Sequence, residues 1–290
     1  MLQIAGIACV FIMVFGGYLI HGGSLEPIIH AAPFELIMIL GAGVGAFLLG
    51  SSGAQAKAAL GSFGKVFGGP KWKKQDYRDL LSLLFTVTKT MKSKGMIALE
   101  PHIENPNESA IFKRYPKILH DHFALDFICD TLRMMTMSLE DPHQVETAME
   151  KQLEKHHHES SSPAEAMQSL ADGLPALGIV AAVLGIIITM GHLDGGPEVI
   201  GHHVAAALVG TFLGILLSYG LLAPIATTVE VQTNVSTRYL RCIKEGVIAS
   251  LRGAAPIVAI EFARKAIFSA TRPTADETDA ACKEVKAAGG

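Results

Sequence analysis

The apolar positions of this chain follow two patterns. In four stretches, 2–20, 34–50, 173–191 and 200–229, apolar side chains run on with no polar face, and Glu35 is the only Asp, Glu, Lys or Arg within them. A run of about 20 such residues is long enough to cross a bilayer as a helix, so the pattern predicts four spans arranged as two hairpins. The second run is short for that length, and Gly41 and Gly45, four apart within it, predict a close approach by another helix. Elsewhere the apolar positions recur once per helical turn. Leu80, Leu84, Val87 and Met91 form one stripe with Arg78, Lys89 and Lys92 off it, which predicts an amphipathic helix over 76–94 closed by Gly95. Glu100-Pro101 and Asn105-Pro106 predict a loop or short turns. Helices are expected at 118–139 and, after the start signal Asp141-Pro142, at 143–157. His156-His157-His158-Glu159 and three serines read as a polar linker into the third run, and 231–268 reads as a helical pattern interrupted at Gly253 and Pro256, with a frayed tail from Thr271. The expected fold is an all-α membrane protein with four transmembrane helices, a large helical cytoplasmic insertion and a cytoplasmic C-terminal helical tail. Its parts are 1–50 (transmembrane helices 1 and 2), 51–171 (cytoplasmic helical domain), 172–229 (transmembrane helices 3 and 4, a channel-lining hairpin) and 230–290 (C-terminal helices and tail).

Composition and charge turn this pattern into a topology. Soluble domains are about a quarter charged, whereas here 18% of residues are charged and 50% are hydrophobic. The net charge of −3 says little, but all 24 Lys and Arg lie between Lys57 and Lys155 or from Arg238 onward. By the positive-inside bias both basic regions, and hence both termini, are expected in the cytoplasm, with the connectors 22–33 and 192–199 outside. The first run lacks the basic flank and cleavage site of a signal peptide and reads as a span. No pair of the four cysteines has zinc-site spacing, and three of them fall in segments expected to be cytoplasmic, so all four read as structural thiols.

The candidate chemistry lies in 172–230. Gly178, Ala182, Gly185 and Thr189 are spaced four, three and four apart, and Ala207, Thr211, Gly214 and Ser218 repeat that spacing, so each helix carries one stripe of small or hydroxyl side chains. Such stripes serve tight helix packing or face a partner helix across a thin, wettable gap; the spacing allows both. Pro175 and Pro224 stand near the cytoplasmic ends of their runs, where antiparallel geometry predicts a similar depth. Each reads either as an ordinary helix start or kink or as part of a gate. Proton-driven machines need a titratable group inside the membrane; here the centres of the four spans supply none, with Glu35, His30, His192, His202 and His203 assigned to the outer boundary. An acidic group from another chain is therefore expected. Three adjacent histidines point in different directions on a helix, so no metal site is expected there, and no nucleophile–base pair or phosphate loop marks an enzyme. The basic helix at Lys89, Lys92 and Lys94, followed by Glu100, reads as a solvated face or a docking surface.

Four blocks, LPALGIVAAVLGI, LVGTFLGILLSYGLLAP, LEPHIENPNESAIFKRYP and GAAPIVAIEFARKAIFSATRP, occur in the order found in the MotA family of flagellar stator subunits, relatives of TolQ and ExbB, and the chain resembles that family over nearly its whole length. The resemblance implies an ion-conducting stator subunit that couples inward proton flow to torque. It implies a bacterial inner-membrane location, a homopentameric ring in membrane lipid, a MotB-like single-span peptidoglycan-anchored partner that supplies the proton-accepting Asp, and a FliG-like rotor switch protein; it implies no cofactor and no nucleic acid. Pro175 and Pro224 match the family's two functional prolines, Thr211 its hydroxyl facing the partner's carboxylate, and Ala182 the residue opposite; Thr189 belongs to the same path. Ala182 and Gly210 stand where sodium-driven relatives carry threonines, which implies H+ rather than Na+. Glu100 matches the rotor-contacting acid. The basic partner of Glu100 is typically arginine in the family, and Lys92 or the nearby Lys94 takes that place here without the planar fork. A TolQ- or ExbB-like transducer acting on a periplasmic partner, and a non-conducting membrane scaffold, are the alternative readings.

Overall fold

The computed structural model describes residues 2–137, 141–192, 194 and 196–287, with the main chain alone at 65. Among them no strand occurs, and the chain is helical almost throughout. It forms two units, one built from 1–69 and 160–231, the other from 70–159 and 232–290. Two helices contribute residues to both units.

The first unit opens with α1 (Leu2–Ile20) and α2 (Glu26–Gly50) and continues with α3 (Gly53–Val66). It also contains the C-terminal part of α8 (Pro142–Met190), all of α9 (Gly196–Leu217) and the start of α10 (Ala223–Leu251). α1, α2, α8 and the continuous α9–α10 segment each contain a window long and apolar enough to cross a membrane. The second span is longer than the sequence suggested: α2 begins at Glu26, and Pro33 lies inside it. Pro27 in the first turn, where a missing N–H costs nothing, favours this early start. The close approach also falls elsewhere. Gly41 and Gly45 face open space, and Gly43 packs on Leu170 and Leu174.

The expected linker at 156–162 is helical, because α8 runs unbroken through its histidines, its serines and Pro163. The reason is packing. Ala164 and Met167 are buried with Ala59 and Val66 of α3 and with Ala226 and Val229, and such burial outweighs the mild helix reluctance of Ser and His.

In the second unit α4 (Lys74–Lys94) ends as predicted, at Gly95 with φ +81°, whose N–H donates to the Met91 carbonyl. Short turns follow, among them α5 (Glu100–Glu104) and α6 (Pro116–Leu119). The helix expected at 118–139 is divided: Asp121 caps α7 (His122–Thr136) by accepting from the Ala124 N–H at 3.0 Å, and this breaks the chain after α6. The predicted end at Leu139 lies outside the described residues. α10 gives way at Gly253, φ +89°, and α11 (Pro256–Lys265) follows.

The tail is not frayed. α12 (Ala275–Ala287) buries Thr278, Ala281, Cys282 and Val285, and Lys74 binds Glu277 at 2.8 Å. A single core joins these elements, with Trp72 stacked on Tyr239 at 3.7 Å between centroids.

Within this unit His156 stacks on Phe123 at 3.5 Å, and burial lowers its pKa below the ordinary histidine value. The unfolded chain therefore takes the proton more readily than the folded one. The stabilisation from His156 is complete above the unfolded value of about 6.5 and is lost as the pH falls through the folded value. Thermal unfolding of the purified protein is expected to show a loss of stability beginning just below neutrality, which His156→Phe removes. The carboxylates Glu150 and Glu261, held low by hydrogen bonds from Lys244 and Arg264, contribute a separate loss at more acid pH.

Candidate functional site

The hairpin of α8 and α9 is closed by glycine. A Cβ placed on Gly178 would lie 2.8 Å from the Gly210 carbonyl oxygen and 3.2 Å from Gly214 Cα; one on Gly185 would lie 2.8 Å from the Ala207 methyl. On Gly214 it would meet the Leu174 carbonyl at 2.7 Å. The two small-residue stripes therefore pack on each other, backbone to backbone. Of the two uses their spacing allowed, tight packing within one chain accounts for Gly178, Gly185, Ala207 and Gly214.

The stripe residues with side-chain chemistry fare differently. The Thr211 Cα packs 3.4 Å from the Cβ position of Gly178, and the residue stays half-buried. Ala182, one turn beyond Gly178 on the same face, is buried. Thr189 is buried too, and its hydroxyl donates to the Gly185 carbonyl at 2.8 Å, within its own helix. Eleven residues, about 16 Å of helix, separate Thr189 from Gly178, so Thr189 is not gathered with Thr211.

The prolines are not level. Continued past the contact of Gly178 with Gly214, the antiparallel register sets Pro175 opposite about residue 216 and leaves Pro224 about two turns further on. Pro175 is half-buried and Pro224 exposed. Just before Pro224 the helix widens into a π-turn, Ser218–Leu222, closed by the Ala223 N–H donating to the Ser218 carbonyl. Proline has no N–H, and its ring crowds the carbonyl four residues back. An inserted π-turn relieves both problems, and such bulges concentrate at working sites. Ser218 is fully buried there, and its hydroxyl has no hydrogen-bond partner among the described residues.

Glu35, assigned from the sequence to the solvated outer boundary, is buried instead. It sits nine residues into α2, about 13 Å from the helix start, and is only 5% exposed. Its carboxylate rests against Gly210, where a Cβ would collide with Oε2, and Oε2 has no hydrogen-bond partner among the described residues. Beside it a cleft of about 370 Å³ is lined by His30 from α2, by Leu184 and Ile188 from α8, and by His202 and His203 from α9. His30 and His202 are exposed; His203 is half-buried and stacks on the exposed His192 at 4.9 Å between centroids.

In the second unit Lys92, Lys94 and Glu100 are all exposed, and none has an ion pair or hydrogen-bonded side chain among the described residues. Gly95 and the turn Met96–Leu99 bring the chain from the two lysines to Glu100. Lys92 also borders a cleft of about 290 Å³ with Met91, Met96 and Met135. Nearby Arg133, by contrast, is paired with Glu104 at 2.9 Å and Asp130 at 2.7 Å.

Residues 4–95 match the motility protein A N-terminal family, and residues 120–241 match the MotA/TolQ/ExbB proton channel family. The chain is 40% identical over 286 residues to motility protein A of Escherichia coli (strain K12), covering 99% of this chain and 96% of that protein. It is 35% identical over 279 residues to chemotaxis protein LafT of Vibrio parahaemolyticus, covering 96% and 97%. Its fold matches a chain of C. jejuni MotAB with a TM-score of 0.74 at 19% identity, covering 92% of this chain and 95% of that one. It also matches a chain of the flagellar MotAB stator complex from Bacillus subtilis, with a TM-score of 0.70 at 22% identity over 89% and 92%.

Proposed function

The chain belongs to the MotA group of the MotA/TolQ/ExbB proton channel family, and from that premise we propose that it is the ion-conducting stator subunit of a flagellar motor, which turns inward proton flow into torque. One observation carries the reading: a hairpin closed on itself by glycine contacts holds Thr211 half-buried while its apolar core contains no charged side chain. At the level of Thr211 the hairpin's own side chains offer no carboxylate. A single-span MotB-like partner brings the carboxylate, several copies of this chain surround it in the inner membrane, and both termini lie in the cytoplasm.

A proton entering from outside neutralises the partner's carboxylate near Thr211 and removes the cost of moving that side chain along the apolar wall. The proton leaves past Pro175 and then Pro224, which act in succession rather than as one gate. A unit charge crossing 100 mV yields about 2.3 kcal/mol, so each step must meet little resistance, as a wall of aliphatic side chains provides. Glu100 and Lys92, with Lys94 beside it, pass the motion to a FliG-like rotor protein through charge contacts. The named relatives are motility and chemotaxis proteins, which favours this reading over a transducer for a periplasmic partner. With alanine and glycine at 182 and 210, the path suits H+ over Na+.

Pro175→Ala tests the ion path. The change restores an N–H to α8 and removes the ring that keeps the Ala171 carbonyl unpaired, stiffening the helix where the path leaves it. Swimming is expected to fall about ten-fold or more with membrane levels unchanged. Swimming at full speed would sink the proposed role.

A further inference from the structure

We propose that Glu35 is a second proton-carrying group of this ion path, loaded from the cleft beside it. The inference rests on the stator reading and extends it from the partner's carboxylate to one supplied by this chain. Three observations lead to it. Glu35 is buried within a membrane-spanning helix, its Oε2 has no hydrogen-bond partner among the described residues, and it borders a cleft of about 370 Å³. Bulk water occupies about 30 Å³ per molecule, so the cleft has room for a chain of several waters leading to the carboxyl.

The titratable groups lining that cleft are Glu26 and His30 on α2 and His202 and His203 on α9; the residues that α8 contributes are Leu184, Gly185 and Ile188. No Lys or Arg lies in α2, in α9 or in α8 beyond Lys155. A carboxylate pressed against Gly210 thus has, among the described residues of these elements, no Lys or Arg beside it to offset its charge, and keeping that charge from water is costly. Binding one proton removes the cost.

Gly210 explains why the carboxyl can stand where it does, since any side chain there would occupy its place. Gly210 also directly precedes Thr211, and at this level α8 contributes Gly178. At this level the wall is therefore built of glycine.

The step is a plain proton transfer. Hydronium in the cleft gives its proton to a Glu35 carboxylate oxygen, leaving water and a neutral acid that can lie against Gly210. The O–H bond then breaks in favour of the partner's carboxylate, and the Glu35 anion turns back to the cleft to be reloaded.

The test uses the full chain with its partner in the membranes of a motile cell. Glu35→Gln keeps the shape and removes the exchangeable acid, and Glu35→Asp keeps the acid. At neutral external pH E35Q is expected to accumulate normally and to slow swimming about ten-fold, while E35D retains much of the speed. Infrared difference spectra of the same membranes are expected to show a protonated-carboxyl band that responds to external pH, shifts on deuteration and in E35D, and is absent from E35Q. E35Q swimming at full speed would make Glu35 a packing residue and overturn the proposal, as would a carboxyl band indifferent to pH and to E35D. Should E35Q fail to accumulate, the pH response and the E35D shift of the band decide. That band reports Glu35 whether or not the chain drives rotation, so its loss is distinguishable from failure of the stator reading.

Discussion

Gly178→Val is expected to abolish swimming and to lower the amount of folded chain in the membrane. The first added carbon would stand 2.8 Å from the Gly210 carbonyl oxygen and 3.2 Å from Gly214 Cα. Both are backbone atoms of a packed helix and cannot turn aside as a flexible side chain would. Forcing carbon into a filled contact costs about 1–3 kcal/mol when side chains can yield, and here α9 itself must move. Helix pairs in a bilayer gain little from the hydrophobic effect and depend on close packing, so the loss falls directly on the hairpin. Membrane-fraction immunoblots and protease sensitivity check this, and a well-folded, motile G178V would mean that the glycine contact does not hold the two helices.

Thr211→Phe separates the path from the fold. The Thr211 side chain is half-buried, and its Cα packs toward Gly178, so a ring at this position intrudes on the path while the glycine contacts remain. Membrane level and assembly with the partner are expected to persist while rotation falls about a hundred-fold or more, as when one group at the centre of a transfer path is displaced by about an ångström. Thr211→Ser, which keeps the hydroxyl in a smaller side chain, is expected to rotate near the normal speed. Tethered-cell rotation together with co-purification of the partner distinguishes a blocked path from a missing complex.

How far the fold could be read from sequence depended on how local its cause was. The four apolar runs, the stripe of α4, its stop at Gly95 and the break at Gly253 and Pro256 all follow from periodicity and single-residue stereochemistry, and they were legible. The unbroken α8 was not, because His156 to Pro163 are poor helix formers held helical by the packing of Ala164 and Met167 on α3 and α10. The docking of α12 was missed for the same reason: Thr278 and Val285 have a use only once α4 is beside them.

The site divides in the same way. Thr211 and the two prolines were found from type and position, while their relative depth needed the register that Gly178, Gly185 and Gly214 impose. Glu35 was misread because its burial depends on where α2 starts and on the space left by Gly210, neither of which its own neighbours in sequence reveal. Lys92, Lys94 and Glu100 share exposure and closeness along the chain.

On the proposed reading, this chain forms the wall of a proton path whose final acceptor belongs to another subunit. Proton uptake into vesicles under an imposed membrane potential tests it most directly, with vesicles carrying the chain alone, the chain with its single-span partner, and the chain with a partner whose membrane Asp is changed to Asn. Uptake is expected only with the unaltered partner and is expected to vanish there with T211F. Uptake by the chain alone, or undiminished uptake with the Asn partner, would contradict it.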